Sequence, residues 1–163
     1  MIRKLEGADF QTIYGVINEA AISYKNKIPA DCYKTPYIPI EELNKEITLG
    51  VQFYGYSQIG QVIAVMGIQL VGDATLISHA YTLTSYQRMG IGEKLLNNLI
   101  PMAKTKRMLV GTWQDAVWAI AFYQKHDFEL LSREETNKLL KKYWRISHRQ
   151  LETSAVLELK RRP

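Results

Sequence analysis

The stretch Ala80-Tyr81-Thr82-Leu83-Thr84-Ser85-Tyr86-Gln87-Arg88-Met89-Gly90-Ile91-Gly92-Glu93-Lys94-Leu95-Leu96 runs from a strand-like segment through a short loop into an amphipathic helical pattern. Gly90 and Gly92 stand at alternate positions where the helical spacing begins, and a missing Cβ there lets backbone approach a ligand closely. The first N–H groups of a helix lack intrahelical partners and carry the positive end of its dipole, so a phosphate is the natural guest. Leu95 stands where a dinucleotide fingerprint needs its third glycine, and no Gly-Lys-Ser/Thr follows a four-residue gap, so neither the Rossmann nor the Walker A reading fits. A plain helix start, with the glycines serving only a turn, fits this segment equally well.

Upstream, Val51–Tyr56, Val62–Leu70 and Ala74–Thr82 are rich in β-branched, aromatic and apolar residues. Hairpin-length gaps separate them, which predicts an antiparallel meander. Further upstream a short strand is expected at Arg3–Leu5. Phe10, Ile13, Tyr14, Ile17, Ala21 and Tyr24 recur at helical spacing from Asp9. Ile28–Pro39 reads as a loop, and Pro39 opens a second helix closed by Gly50. Downstream, Ile91 to Ile100 is the third helix, Met108–Trp113 a fifth strand, Ala116–Lys125 a fourth helix and Phe128–Leu131 a sixth strand. A basic helical segment, Arg133–Trp144, precedes a last strand at Thr153–Leu159. The order β-α-α-β-β-β-α-β-α-β-β predicts an α/β (α+β) fold, a mixed and mainly antiparallel sheet of six to seven strands with helices on both faces.

The chain has 163 residues, with 21 basic and 16 acidic side chains and a net charge of +5. One domain over residues 1–163 is expected, with a core large enough to need no staple. The single cysteine, Cys32, excludes an intrachain disulfide and a cysteine-rich metal site, and His79, His126 and His148 lack metal-ligand spacing, so no metal is predicted. No apolar run reaches the roughly 18 residues of a membrane span, and the N-terminus lacks a secretory h-region. A cytoplasmic protein without a membrane partner is expected. The basic clusters Lys104/Lys106/Arg107, Lys138/Lys141/Lys142/Arg145 and Lys160/Arg161/Arg162 read as solvated surface. Without a helix-turn-helix or stacking motif, nucleic acid is not an expected partner.

A second segment, Ala119-Ile120-Ala121-Phe122-Tyr123-Gln124-Lys125-His126-Asp127-Phe128, joins a strand to another strand. It resembles the Ala-x-x-Phe-Tyr-x-Lys-x-Gly-Phe segment of the acetyl-CoA-dependent N-acetyltransferases of the GNAT superfamily. Gln87-Arg88-Met89-Gly90-Ile91-Gly92 is similar to that family's Gln/Arg-x-x-Gly-x-Gly/Ala pyrophosphate loop. The order of elements from Ile2 to Leu159 fits the same fold. Two positions depart from the pattern: Ala116 stands where many members carry a cofactor-holding Asn, and Asp127 replaces the Gly before the final Phe.

The resemblance implies a function. Acetyl-CoA would lie between splayed fourth and fifth strands, its pantetheine arm pairing with the backbones of Ala80, Tyr81, Thr82 and Leu83 as an added strand. The pyrophosphate would rest on the amides of Arg88, Met89, Gly90, Ile91, Gly92, Glu93 and Lys94, in the loop that Gln87 opens. Lys104, Lys106 or Arg107 would be candidates for the remaining phosphate. Tyr123 matches the tyrosine that protonates the departing thiolate, and a phenol with a reference pKa near ~10 starts as the donor. His79 shares a strand face with Tyr81 and Ile77 by period-2 alternation and is a candidate base; Glu19, Asp115 and water are others.

The expected reaction is direct acetyl transfer to a primary amine of a small molecule or peptide. A catalytically silent acyl-CoA-binding module is the alternative. Tyr24, Tyr33, Tyr37, Trp113, Tyr143 and Trp144 are candidates to line the acceptor region. Core packing or a homodimer contact are other roles open to these aromatics.

Overall fold

The computed structural model describes residues 1–160, so the Arg161 and Arg162 part of the last basic cluster lies outside the described residues. The strands are β1 (Ile2–Lys4), β2 (Gln52–Gln58), β3 (Gln61–Val71), β4 (Ala74–Thr82), β5 (Arg107–Trp113), β6 (Glu129–Leu130) and β7 (Ser154–Lys160). The helices are α1 (Phe10–Ala20), α2 (Ile40–Thr48), α3 (Ile91–Leu99), α4 (Val117–Lys125), α5 (Arg133–Tyr143) and α6 (His148–Thr153). The strands form one seven-stranded sheet in the order β1-β2-β3-β4-β5-β7-β6. Every pairing is antiparallel except β4 with β5.

Local chemistry sets the boundaries. Ile59 (φ 50°) and Gly60 (φ 74°) form the two-residue β2–β3 turn, the positive-φ pair that matches the twist of a hairpin. The first helix ends earlier than its apolar spacing predicts, because Ala21–Tyr24 tightens into a 3₁₀ turn. Pro39 is the extended residue that precedes α2 rather than its first helical one. Ser132 caps α5 by accepting from the Glu135 N–H at 3.2 Å. The sequence reading leaves α6 out, although Ser147 and Gln150 form a reciprocal capping box at its start.

Helices cover both faces. On one, Ile91, Leu95, Leu96 and Leu99 of α3 pack with Tyr123 of α4 against Ile63, Met66, Ile77, Met108 and Leu157. Each buried aliphatic side chain there contributes roughly 1.5–3 kcal/mol of transfer free energy. On the other face, Ile13 and Ile17 of α1 and Leu43 of α2 cover Phe53, Val62 and Val65. Leu139, Leu140 and Tyr143 of α5 cover Ala74, Leu76, Leu109 and Val156. The exposed Lys138, Lys141 and Lys142 make the outer side of α5 a solvated basic face. Among the described residues no helix is long and apolar enough to cross a membrane.

Candidate active site

The site begins where the sheet opens. β4 and β5 pair from Ala74↔Arg107 to Ile77↔Val110 and no further, so residues 78–82 lack a strand partner on the β5 side. On the β3 side the register slips between Val65↔Tyr81 and Gly67↔Ser78, leaving His79 and Ala80 opposite Met66. This is a β-bulge, with His79 in the left-handed region at φ 51°. The extra residue shifts the alternation. His79 and Tyr81 do share a face, with ring centroids 6.2 Å apart. Ile77, predicted on that face, points instead into the core under α3.

Below the opening, β4 leads through a 3₁₀ turn at Thr84–Tyr86 into the loop before α3. Gly90 is the N-cap residue of α3 at φ 78°, and Arg88 is also left-handed at φ 64°. The loop is braced by side chains. Gln87 Nε2 donates to the Thr82 carbonyl at 3.0 Å, and Glu19 accepts from the Thr84 amide (2.9 Å) and hydroxyl (2.8 Å). A Cβ on Gly90 meets open space, and one on Gly92 meets only Phe122 at ordinary contact distance, 3.6 Å. Packing within the chain therefore does not demand glycine at position 92.

A groove of about 580 Å³ runs from this loop along the free edge of β4. Of the residues expected to bind cofactor, Ala80, Tyr81, Thr82, Gln87, Arg88, Gly90, Ile91, Gly92 and Glu93 line it. Leu83, Met89 and Lys94 do not: Leu83 packs into both helix-covered cores, Met89 faces solvent, and the Lys94 ammonium lies 5.5 Å from the centre of the Tyr56 ring. Lys104, Lys106 and Arg107 stand at the opposite end of the sheet, since Arg107 pairs with Ala74 at the start of β4. The cations beside the groove are Lys27, Arg88 and Lys125.

Tyr123 lines the groove from α4 while remaining 5% exposed, and burial pushes its phenol well above the ordinary value, so it stays protonated. His79 does not line the groove: its Nε2 lies 2.8 Å from Glu46 Oε2 and its ring packs 5.7 Å from Phe53. Glu19 is engaged by Thr84, and Asp115 is exposed in the turn after β5. Ala116 is fully buried at the start of α4. Asp127 adopts φ 71°, the left-handed conformation that its glycine-type position requires.

At the mouth of the strand opening stands an aromatic cluster. Tyr24 lies 5.3 Å from Tyr37, 6.1 Å from Tyr81 and 5.9 Å from Trp118, and Tyr33 lies 6.4 Å from Tyr37. Trp113 Nε1 donates to the Tyr37 hydroxyl at 2.8 Å, bridging the tip of β5 to the loop before α2. The Tyr81 hydroxyl interacts with those of Tyr24 and Tyr37. Burial raises all three phenols, Tyr24 to about 12. Of the aromatics predicted for the acceptor region, Tyr24, Tyr33, Tyr37 and Trp113 meet here. Tyr143 and Trp144 do not: Tyr143 is a core residue bonded to Asp73, and Trp144 covers Gly111 on β5. Sequence reasoning missed Trp118, whose signal is the four-residue step to Phe122 on a helix apolar nearly all round. Among the described residues no group of three or more His, Cys, Asp or Glu is placed to hold a metal.

A parted β4–β5 pair with a helix N-terminus at its end offers an extended, phosphate-bearing ligand a strand edge and a set of unpaired amides. The family model described as the acetyltransferase (GNAT) domain matches residues 50–130, from just before β2 to the end of β6. The chain belongs to the GNAT acetyltransferases and is an enzyme of that class. Solved structures share the fold. A GNAT-family acetyltransferase from Staphylococcus aureus Mu50 superposes with a TM-score of 0.73 at 15% identity, covering 99% of both chains. The PaiA N-acetyltransferase of Thermoplasma acidophilum, solved in complex with coenzyme A, gives 0.67 at 18% identity over 98% of both chains. A ribosomal-protein-alanine N-acetyltransferase from Brucella melitensis gives 0.69 at 18% identity, over 98% of this chain and 99% of that one.

Proposed function

We propose that this chain transfers an acetyl group from acetyl-CoA to a primary amine of a small molecule or peptide, by direct attack in a ternary complex. A single domain over residues 1–163, acting in the cytoplasm, completes this reading. The observation that carries it is the groove itself, which joins the α3 N-terminus, the unpaired edge of β4 and Tyr123 in one continuous space. Acetyl-CoA supplies an activated acyl thioester.

The chain's own groups divide the remaining work. The amides from Arg88 to Glu93, at the positive end of α3, bind the pyrophosphate, with Gly90 and Gly92 removing the side chains that would stand in its way. The free edge of β4 from Ala80 to Thr82 hydrogen-bonds the pantetheine amides as a strand would, while Leu83, included in the sequence expectation, packs into the cores. That pairing sets the thioester carbonyl near a backbone N–H at Ala80–Tyr81, a donor fixed before charge develops on the oxygen. Tyr123, kept neutral by burial, delivers the proton to the departing thiolate. The amine's proton leaves to water through the open groove. His79, turned toward Glu46 by the bulge, serves this reading as a positioning residue behind Tyr81.

Release of free thiol from acetyl-CoA across a panel of amines, with CoA binding followed by calorimetry, tests the reading. Saturable, amine-dependent release supports it. Tight CoA binding without release for any amine would instead leave a silent acyl-CoA-binding module.

A further inference from the structure

The aromatic cluster at the strand opening narrows the acceptor, on the basis of the acetyl-transfer reading above. We propose that the acceptor amine is carried on an aromatic or bulky apolar body that packs among Tyr24, Tyr33, Tyr37, Tyr81, Trp113 and Trp118. A polycation is the class it excludes.

Exposed ring surface is the first ground. These six side chains come from the segment after α1, the loop before α2, β4, β5 and α4, and all retain solvent-exposed surface, Trp118 as much as 42%. Among Tyr24, Tyr33, Tyr37, Tyr81 and Trp118 ring centroids stand 5.3–6.4 Å apart in tilted and edge-on pairs, a spacing at which a further ring adds contacts of the same kind. Most of the cluster's polar atoms face one another: Trp113 Nε1 donates to Tyr37, and the Tyr81 hydroxyl interacts with those of Tyr24 and Tyr37, which leaves the Tyr33 hydroxyl and the Trp118 N–H for a ligand. What the cluster offers a newcomer is therefore mainly apolar ring surface.

Charge is the second ground. Among the residues lining the groove, the carboxylate is Glu93, on the first turn of α3 at the phosphate end, beside the cations Lys27, Arg88 and Lys125. Of the carboxylates near the cluster, Glu19 is bonded to Thr84, Glu46 to His79 and Asp31 to Arg149, while Asp115 is exposed in the turn after β5, outside the groove lining. Glu42, at the exposed start of α2, exerts only a minor influence on Tyr37. An acceptor with several ammonium groups would find no carboxylate among the residues that line the groove at this end, and the groove as a whole carries three lysine or arginine charges to one carboxylate. A single amine on an apolar body fits better. Desolvation against the rings lowers its pKa toward the neutral form that attacks the thioester.

The test uses the full chain with saturating acetyl-CoA and three probes: 2-phenylethylamine, spermidine and a short peptide with N-terminal alanine. The expected result is a higher kcat/KM for 2-phenylethylamine than for the other two. Trp118→Ala should lower that preference roughly tenfold, mainly through KM, the value of one aromatic contact, and Trp118→Phe should restore it. Equal or better use of spermidine or the peptide overturns the proposal, as does an unchanged preference in Trp118→Ala. If no amine releases thiol, the acetyl-transfer reading fails, and quenching of tryptophan fluorescence in the CoA-bound chain decides the inference separately. Saturable quenching by 2-phenylethylamine but not by spermidine sustains an aromatic-amine site; absence of saturation, or tighter binding of spermidine, overturns it.

Discussion

The two ends of the groove are built by opposite means. At the end proposed to hold the phosphates the recognising groups are main-chain amides, presented by consecutive residues from Arg88 to Glu93 that need only the right conformations, φ 64° at Arg88 and φ 78° at Gly90. At the strand opening the recognising surface is made of side chains gathered from positions as distant as Tyr24 and Trp118. Backbone recognition is compact and indifferent to most side chains, so many chemistries can share it. A side-chain wall is specific to what fits it. The first end suits a ligand common to a family, the second a ligand particular to one member.

The sharpest break of this comparison lies between the two ends, at Tyr123. Tyr123→Phe removes one hydroxyl and keeps the ring that packs 5.5 Å from Phe128. Turnover should fall roughly 10²–10⁴-fold, in kcat more than KM, while calorimetry shows CoA affinity unchanged. Wild-type turnover under chemistry-limited conditions would return Tyr123 to the core as a packing residue.

Gly90→Val should weaken CoA by roughly 10–100-fold, the cost of about one charge-assisted hydrogen bond, because it forces a β-branched residue into φ 78°. Gly92→Ala separates ligand from fold: the chain accepts its methyl at 3.6 Å from Phe122, so the melting temperature should stay while CoA affinity drops about tenfold or more. Unchanged affinity in both folded variants would remove the phosphate from this loop.

The opposite end should respond in stability and leave the cofactor alone. Trp113→Phe deletes the N–H that the Tyr37 hydroxyl accepts at 2.8 Å, and urea unfolding should register about 1 kcal/mol, with CoA affinity intact. A coupled loss of CoA binding would show that the two ends are not independent.

The smallest effect is a pH dependence confined to the alkaline side. Folding raises the Tyr24 phenol to about 12 from its unfolded value near ~10, so the unfolded chain releases that proton first. The corresponding stability is complete below pH ~10, falls through the interval to about 12, and is lost beyond it. A Tyr24→Phe variant should lose a late-rising part of the tyrosinate absorbance that the folded wild-type chain shows and the urea-unfolded chain does not.

The same contrast explains what the sequence discloses. The bounds of β4 and the start of α3 are legible, because both rest on local spacing and on glycines whose conformational role is local. The strand order is legible for the meander, where each turn is short. His79 is not: the bulge arises from a mismatch between β3 and β4, and no periodicity within β4 announces the extra residue that carries Ile77 to the opposite face. Nor is the aromatic wall legible as a wall. Nothing along the chain separates Tyr33 and Tyr37, which join it, from Tyr143 and Trp144, which end α5 and pack into the core beneath it. By contrast α6 was within reach, since Ser147-x-x-Gln150 is a local capping signal.

The parallel contact between β4 and β5 has one further consequence. The halves β1–β4 and β5–β7 meet along Ala74–Ile77 and Arg107–Val110, where Thr75, Leu76, Ile77, Met108, Leu109 and Val110 are all 4% exposed or less. The molecule is thus a pair of tweezers: a dry fulcrum at one end, two blades unpaired with each other at the other, and the tip of β5 held at Trp113 to Tyr37 in the loop before α2. The gap is therefore set at the base, where the pairing stops at Ile77 and Val110, and the bond at the far end steadies the acceptor wall without fixing the width of the gap.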